Sequence, residues 1–128
     1  MSYTETTNSI KISVDPAAIP EESSPLLGKY AFSYTVTIEN LGEAAVKLLE
    51  RHWVVRSGGE HFVEVVGEGV VGQLPELACG GQYSYTSGTI INKPVGEMTG
   101  SYTFRAETGS YFQVKIPTFD LLYPTVIN

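Results

Sequence analysis

The run Gly67-Glu68-Gly69-Val70-Val71-Gly72 spells G-x-G-x-x-G, a spacing that in dinucleotide-binding proteins lets backbone N–H groups hold a pyrophosphate. That chemistry needs a strand turning directly into a helix whose first N–H groups point at the anion. Here Pro75 follows Gly72 after two residues, and Gly80-Gly81 closes the next segment, which leaves no room for such a helix. A Walker loop is absent as well, because the Gly28-Lys29 pair is followed by Tyr30 rather than Ser or Thr. Two readings remain for Gly67, Gly69 and Gly72. They supply positive φ or close backbone approach in a connection between strands, or they form an anion-binding nest without a helix, opposed by the charge of Glu68.

Other reactive side chains are few. If Gly58-Gly59 is a two-residue turn, Arg56 faces His61 and His52 faces Val65, so the two histidines share a sheet face four residues apart. At strand rise that is about 13 Å, too far for one ion to bridge. No His-Glu-x-x-His pattern or EF-hand loop occurs. Cys79 precedes Gly80-Gly81 without a recognisable base or orienting group, so it reads as a small hydrophobe rather than a nucleophile. No catalytic residue, metal ligand set or cofactor is assigned.

The elements that carry these residues follow a period of two. In Tyr30-Ala31-Phe32-Ser33-Tyr34-Thr35-Val36-Thr37-Ile38-Glu39 the even positions are large and apolar or aromatic, the mark of a half-buried strand, and Asn40-Leu41-Gly42 ends it. Ile10 to Asp15 and Met98 to Arg105 alternate likewise. Glu107-Thr108-Gly109-Ser110 joins the latter to Tyr111–Ile116 as a hairpin, which Pro117 closes. Val46 and Leu48 are apolar in one phase and Leu49, Trp53 and Val55 in the other, so a bulge near Leu48 or Leu49 reconciles them. A turn at Ser57-Gly58-Gly59-Glu60 makes a long hairpin with His61 to Val66. Helix signals are weak throughout, and the best, around Leu41 to Glu50, is short. Many strands with frequent turns predict an all-β fold, an antiparallel β-sandwich, in one domain over 1–128 with a flexible N-terminus at 1–8.

Composition narrows the partners. Eight Lys and Arg against fourteen Asp and Glu give a formal charge of -6, which disfavours nucleic acid and anionic membranes. A single cysteine precludes an internal disulfide and suits a reducing compartment. The N-terminus is polar and lacks a secretory pattern, and no apolar stretch approaches membrane-spanning length; a cytoplasmic protein is expected. Among the aromatics, Tyr30, Phe32, Tyr34, Tyr102 and Phe104 fall on apolar phases and predict core. Trp53, Tyr83 and Tyr85 are the candidates for an exposed protein-binding patch.

The glycine run with its continuation Gln73-Leu74-Pro75-Glu76-Leu77, then Tyr83-Ser84-Tyr85-Thr86-Ser87-Gly88, Pro94-Val95-Gly96-Glu97-Met98-Thr99-Gly100-Ser101-Tyr102 and Phe112-Gln113-Val114-Lys115-Ile116-Pro117, resembles the ApaG family. Arg51-His52-Trp53 resembles that family's tryptophan-bearing strand. Ala78-Cys79 stands where a proline is common, and Phe104 replaces a frequent methionine. The resemblance implies a fibronectin type III or immunoglobulin-like sandwich with the glycine motif in an inter-strand loop. It also implies an association with divalent-cation (cobalt and magnesium) homeostasis, and, from eukaryotic relatives, a recognition surface. Two functions are therefore carried forward. One is an interaction module contacting a protein partner through a sheet face or the Gly67 to Leu77 loop. The other is a binder of a small phosphate-bearing ligand (pyrophosphate, nucleotide or diadenosine polyphosphate) at Gly67, Glu68, Gly69 and Gly72. A homodimer through paired edge strands is compatible with either.

Overall fold

The structure, a computed structural model, describes residues 2–58 and 61–124. Its strands are β1 (Tyr3–Thr7), β2 (Ile10–Ala18), β3 (Tyr30–Asn40), β4 (Val46–Ser57), β5 (His61–Glu68), β6 (Glu76–Leu77), β7 (Gln82–Ile91), β8 (Val95–Ala106) and β9 (Tyr111–Leu122). One sheet runs β1-β2-β3-β7 and the other β5-β4-β8-β9, with β6 also on the edge of β4. Among the described residues every strand pairing is antiparallel. The result is the expected antiparallel β-sandwich, and helical structure among the described residues is confined to two short 3-10 turns, Pro20–Glu22 and Pro25–Leu27.

Alternation along each strand sends one row inward. On β3 these are Phe32, Tyr34, Val36 and Ile38; on β8 and β9 they are Met98, Tyr102, Phe104, Val114, Ile116 and Phe119, all buried in one core. Tyr30 lies at its margin, partly buried against Tyr123. The expected bulge is present: β4 shifts register against β8 between Leu48 and Glu50. Because the side-chain period is two, that extra residue moves the inward row from Val46 and Leu48 to Arg51, Trp53, Val55 and Ser57.

Three expectations are corrected. The N-terminal segment is not loose, since Tyr3–Thr7 pairs with Ile10–Val14 as β1. Asn8 and Ser9 both take positive φ, the two-residue hairpin geometry whose twist matches that of strands, and Tyr3 rests against Phe119. Pro117 does not end the last strand; β9 continues to Leu122. The register of β8 against β9 slips between Met98 and Gly100 at that level, and β9 is an edge strand, where a missing N–H costs little. Finally, the β4–β5 hairpin is one residue out of the expected register, pairing Ser57 with His61, Arg56 with Phe62 and His52 with Val66. Three residues, Gly58-Gly59-Glu60, separate the paired ends where a two-residue turn was expected; Gly59 and Glu60 lie outside the described residues, as does the side chain of His61.

The two sides of the sandwich close differently. On one, β1 and β2 pack over β9. On the other, the edges β5 and β7 stand apart with a cavity of about 210 Å³ between them. Val63 and Val65 point inward on β5, opposite Val55 and Trp53, yet are 50 % and 40 % exposed. Inward residues with that exposure mean that the facing sheet does not reach them.

Candidate functional site

The glycine motif occupies the edge of β4 at its bulge. β5 covers β4 from Ser57 to Glu50 and β6 covers Val46 and Lys47, so residues 69–75 are an excursion between two pieces of one edge. Its feet are fixed by the bulge: Gly69 N–H donates to Leu49 O, and Leu48 N–H donates to Pro75 O. Between them Val70 and Gln73 exchange both backbone bonds at 2.9 Å. Val71 and Gly72 form the tip, with φ of 42° and 78°, the sign pattern of a type I′ turn. Val70 is fully buried and anchors the excursion to the core.

Each motif glycine has its own cause. Gly72 sits at the second turn position, where positive φ favours glycine and the surrounding space is open. Gly69 has φ of +64°, and a Cβ there would lie 2.2 Å from Gln73 O. A Cβ at Gly67 would lie 2.8 Å from Nη2 of Arg51 and 2.9 Å from its Cζ and Nη1. The guanidinium of Arg51 thus fills the side-chain volume of its cross-strand neighbour Gly67, and its Nη1 donates to the carbonyls of Glu68 (3.0 Å) and Gly69 (2.9 Å).

This wiring bears on phosphate. The N–H groups of Gly69, Val70 and Gln73 are already spent on backbone carbonyls, whereas a nest must aim such groups outward. What the loop offers Arg51 is carbonyl oxygen. Gly67, Glu68, Gly69 and Gly72 are thus brought together as a structural excursion held by a cation.

Trp53, Tyr83 and Tyr85 do not form an exposed patch. Trp53 is 3 % exposed and Tyr85 8 %, because the bulge puts Trp53 on the inward row and Tyr85 faces it from β7. Trp53 packs against Tyr34 at 5.2 Å and edge-on to Phe119 and Tyr102 at 5.9 and 6.3 Å between ring centres. Tyr83 is partly buried beside Tyr85. The Tyr85 and Tyr102 hydroxyls meet at 2.5 Å in the core. Burial, which penalises the phenolate, raises both their pKa values well above the ordinary phenol value.

Arg51 is the residue that sequence reasoning missed. It lies on the inward row between Tyr102 of β8 and Gly67 of β5, half-buried, and lines a cavity of about 180 Å³ with Tyr34, Trp53, Val71, Tyr85 and Ser87. Among the described residues no carboxylate pairs with it; the ion pairs are Lys47–Glu76 and His52–Glu64. The signal in the sequence was the phase change at Leu49, which turns Arg51 inward, but reading it required the register of β5. His52 is outward and exposed, with Nε2 2.5 Å from Glu64 Oε2. Cys79 is exposed rather than buried. No group of three or more His, Cys, Asp or Glu side chains placed to hold a metal ion occurs among the described residues.

The other exposed feature is β5 itself. Phe62 and Val66 on its outward face, Val63 and Val65 on its inward face and Ile90 on β7 are all substantially exposed. Edge strands are usually guarded by charge, proline or a covering segment; on β5 a charge appears in the middle at Glu64, which faces His52, and at the end at Glu68.

Comparison with known proteins fits this architecture to a family. The family model described as the ApaG domain matches residues 20–106, a span from ahead of β3 to the end of β8 that includes the glycine excursion. The chain belongs to the ApaG family. Protein ApaG of Pseudomonas paraeruginosa is 43 % identical over 124 residues, covering 97 % of this chain and 98 % of that protein. Protein ApaG of Salmonella arizonae is 47 % identical over 117 residues, covering 91 % and 94 %. A crystal structure of a Bordetella pertussis protein described as ApaA superposes with a TM-score of 0.88 at 42 % identity, covering 91 % of this chain and 95 % of that one. The family relation extends over both sheets and the excursion.

Proposed function

We propose that this ApaG domain is a non-enzymatic cytoplasmic interaction module that engages a protein partner along the open β5–β7 side. The observation that carries the reading is β5: an edge strand that pairs with β4 alone among the described residues and bears exposed apolar side chains on both faces. Sheet edges of this kind bind extended segments by strand addition, and the apolar surface is of the sort that marks protein contacts. The net charge of -6 argues for protein over nucleic acid. The cation association carried by the family is read as an effect transmitted through the partner, since the imidazole of His52 is already engaged by Glu64.

A photo-crosslinking amino acid placed in cells at Phe62 or Val66 is expected to give discrete protein adducts that excess wild-type chain competes away. The same group at Thr118 on the opposite edge strand β9 should not give them. Adducts identical from both edges, or none from β5, would refute the module reading. Titration calorimetry with pyrophosphate and nucleotides tests the alternative: a saturable heat abolished by Gly69→Asp, in a variant that stays folded, would favour a phosphate ligand instead.

A further inference from the structure

We infer that β5 receives an extended peptide carrying the pattern acid-x-apolar-x-apolar, with the acidic side chain bound by Arg51. This rests on the interaction-module reading and names the partner's chemistry. Past His61, whose side chain lies outside the described residues, the inward row of β5 is Val63, Val65 and position 67, spaced about 6.6 Å apart as alternate residues of a strand. At the third position the glycine contributes no side chain, and the guanidinium of Arg51 stands in that volume. What β5 presents inward is therefore apolar, apolar, cationic.

A strand added antiparallel to β5 continues this row. Its residues opposite Val65 and Val63 drop into the cavity that Val55, Val63, Val65 and Ile91 line together with Ser57, Thr89 and Asn92, closing the gap over which the facing sheet fails to reach. Its residue opposite Gly67 comes two positions earlier in the chain and meets Arg51. The guanidinium spends Nη1 on two neutral carbonyls and has no carboxylate partner among the described residues. A half-buried cation of that kind favours a carboxylate, which its planar fork accepts in two parallel bonds.

A second copy of this chain is a poorer occupant. Antiparallel pairing of β5 with itself about Val65 sets Val63 of one copy opposite position 67 of the other. Both Arg51 side chains are then covered without an anion, between molecules that each carry a charge of -6. The inward row thus selects a foreign segment with one acid at its N-terminal end.

The test uses the full chain and an acetylated, amidated peptide Thr-Glu-Thr-Val-Thr-Ile-Thr, with its Glu→Gln counterpart, followed by amide NMR shifts up to about 1 mM, a range suited to short strand ligands. Shifts are expected to concentrate on residues 61–68 and the Arg51 Nε–H. The Gln peptide should bind about tenfold more weakly, the worth of one charged hydrogen-bonded contact. In Arg51→Met the two peptides should bind alike. Val65→Lys, at an already half-exposed position, keeps the fold testable and should abolish binding of both.

Equal affinity of the Glu and Gln peptides for the wild-type chain, shifts centred away from β5, or no shifts at all would overturn the inference. Those outcomes leave the in-cell adducts from β5 untouched. Loss of the adducts themselves would instead remove the module reading on which the inference stands.

Discussion

Replacing the two core tyrosines separately and together should give a strongly non-additive result. Tyr102 is fully buried and Tyr85 is 8 % exposed, and among the described residues their hydroxyls bond only to each other, at 2.5 Å. In Tyr85→Phe the Tyr102 hydroxyl is left without a partner in the deepest part of the aromatic core, which costs about 2–3 kcal/mol, the upper part of the range for an unsatisfied buried group. In Tyr102→Phe the orphan is the hydroxyl of Tyr85, a residue that lines a cavity with Arg51 and Ser87 and so has a route to solvent; about 1 kcal/mol is expected. The double variant removes both partners and leaves shape nearly unchanged, so it should lie within about 1 kcal/mol of wild type. The coupling is then about 2–4 kcal/mol, well above the scatter of independent sites. Urea denaturation at pH 7 reads it through Trp53, the only tryptophan, whose ring packs edge-on to Tyr102. Single-variant costs that simply add in the double would show that the hydroxyl pair is not the isolated buried unit described here.

Four further outcomes are expected. Burial raises the pKa of Tyr85 and Tyr102 above 10.0, so above about pH 10 the unfolded chain loses protons that the folded chain keeps; these groups leave stability unchanged below that pH, and above it stability falls by up to about 1.4 kcal/mol per pH unit for each phenol, a slope that the double Phe variant should lack in alkaline denaturation. Gly69→Ala, which meets positive φ and a carbonyl at 2.2 Å, should cost more than about 2 kcal/mol, whereas Gly72→Ala, with positive φ in open space, should cost about 1 kcal/mol; parallel thermal melts with the reverse ranking would contradict the two assigned causes. Gly67→Ala should displace the Arg51 guanidinium rather than the backbone, so NMR should show loss of the Arg51 Nε–H position with a smaller loss of stability than Gly69→Ala. His52→Ala breaks a solvent-exposed pair and should change stability by less than about 0.5 kcal/mol; a larger loss in urea denaturation would mean that the pair does more than lie on the outer face.

Fold class was legible because alternation is a local property. Tyr30 to Glu39 declares which side of a strand is core without reference to any partner, and the phase break between Leu48 and Leu49 was visible as a bulge for the same reason. What escaped depends on pairing. The β4–β5 register turned on whether two or three residues make the hairpin loop, and one residue exchanges every inward and outward assignment. Tyr3–Thr7 has little apolar content to announce a strand, and its place is set by the Asn8-Ser9 turn and by the packing of Tyr3 on Phe119. Pro117 is a sound stop signal inside a sheet, but not on an edge beside a register slip.

The site was misread by the same mechanism. Trp53 and Tyr85 look adaptable in isolation, and only the bulge and the facing of the two sheets commit them to the core. The glycines were detectable as a motif, but their spacing matches three separate needs: the volume taken by Arg51, a carbonyl at close range, and a type I′ turn. None of these is a phosphate. One unusual glycine therefore leads to the charged residue of the site, because a position without a side chain in the inward row is where another side chain can emerge. On β5 that side chain is Arg51, at the end of a strand whose inward Val63 and Val65 are apolar and substantially exposed. The sequence motif marks the edge at which the sandwich is open, and the Arg51 guanidinium, which has no carboxylate partner among the described residues, is the observation on which the proposed preference for an acidic segment rests.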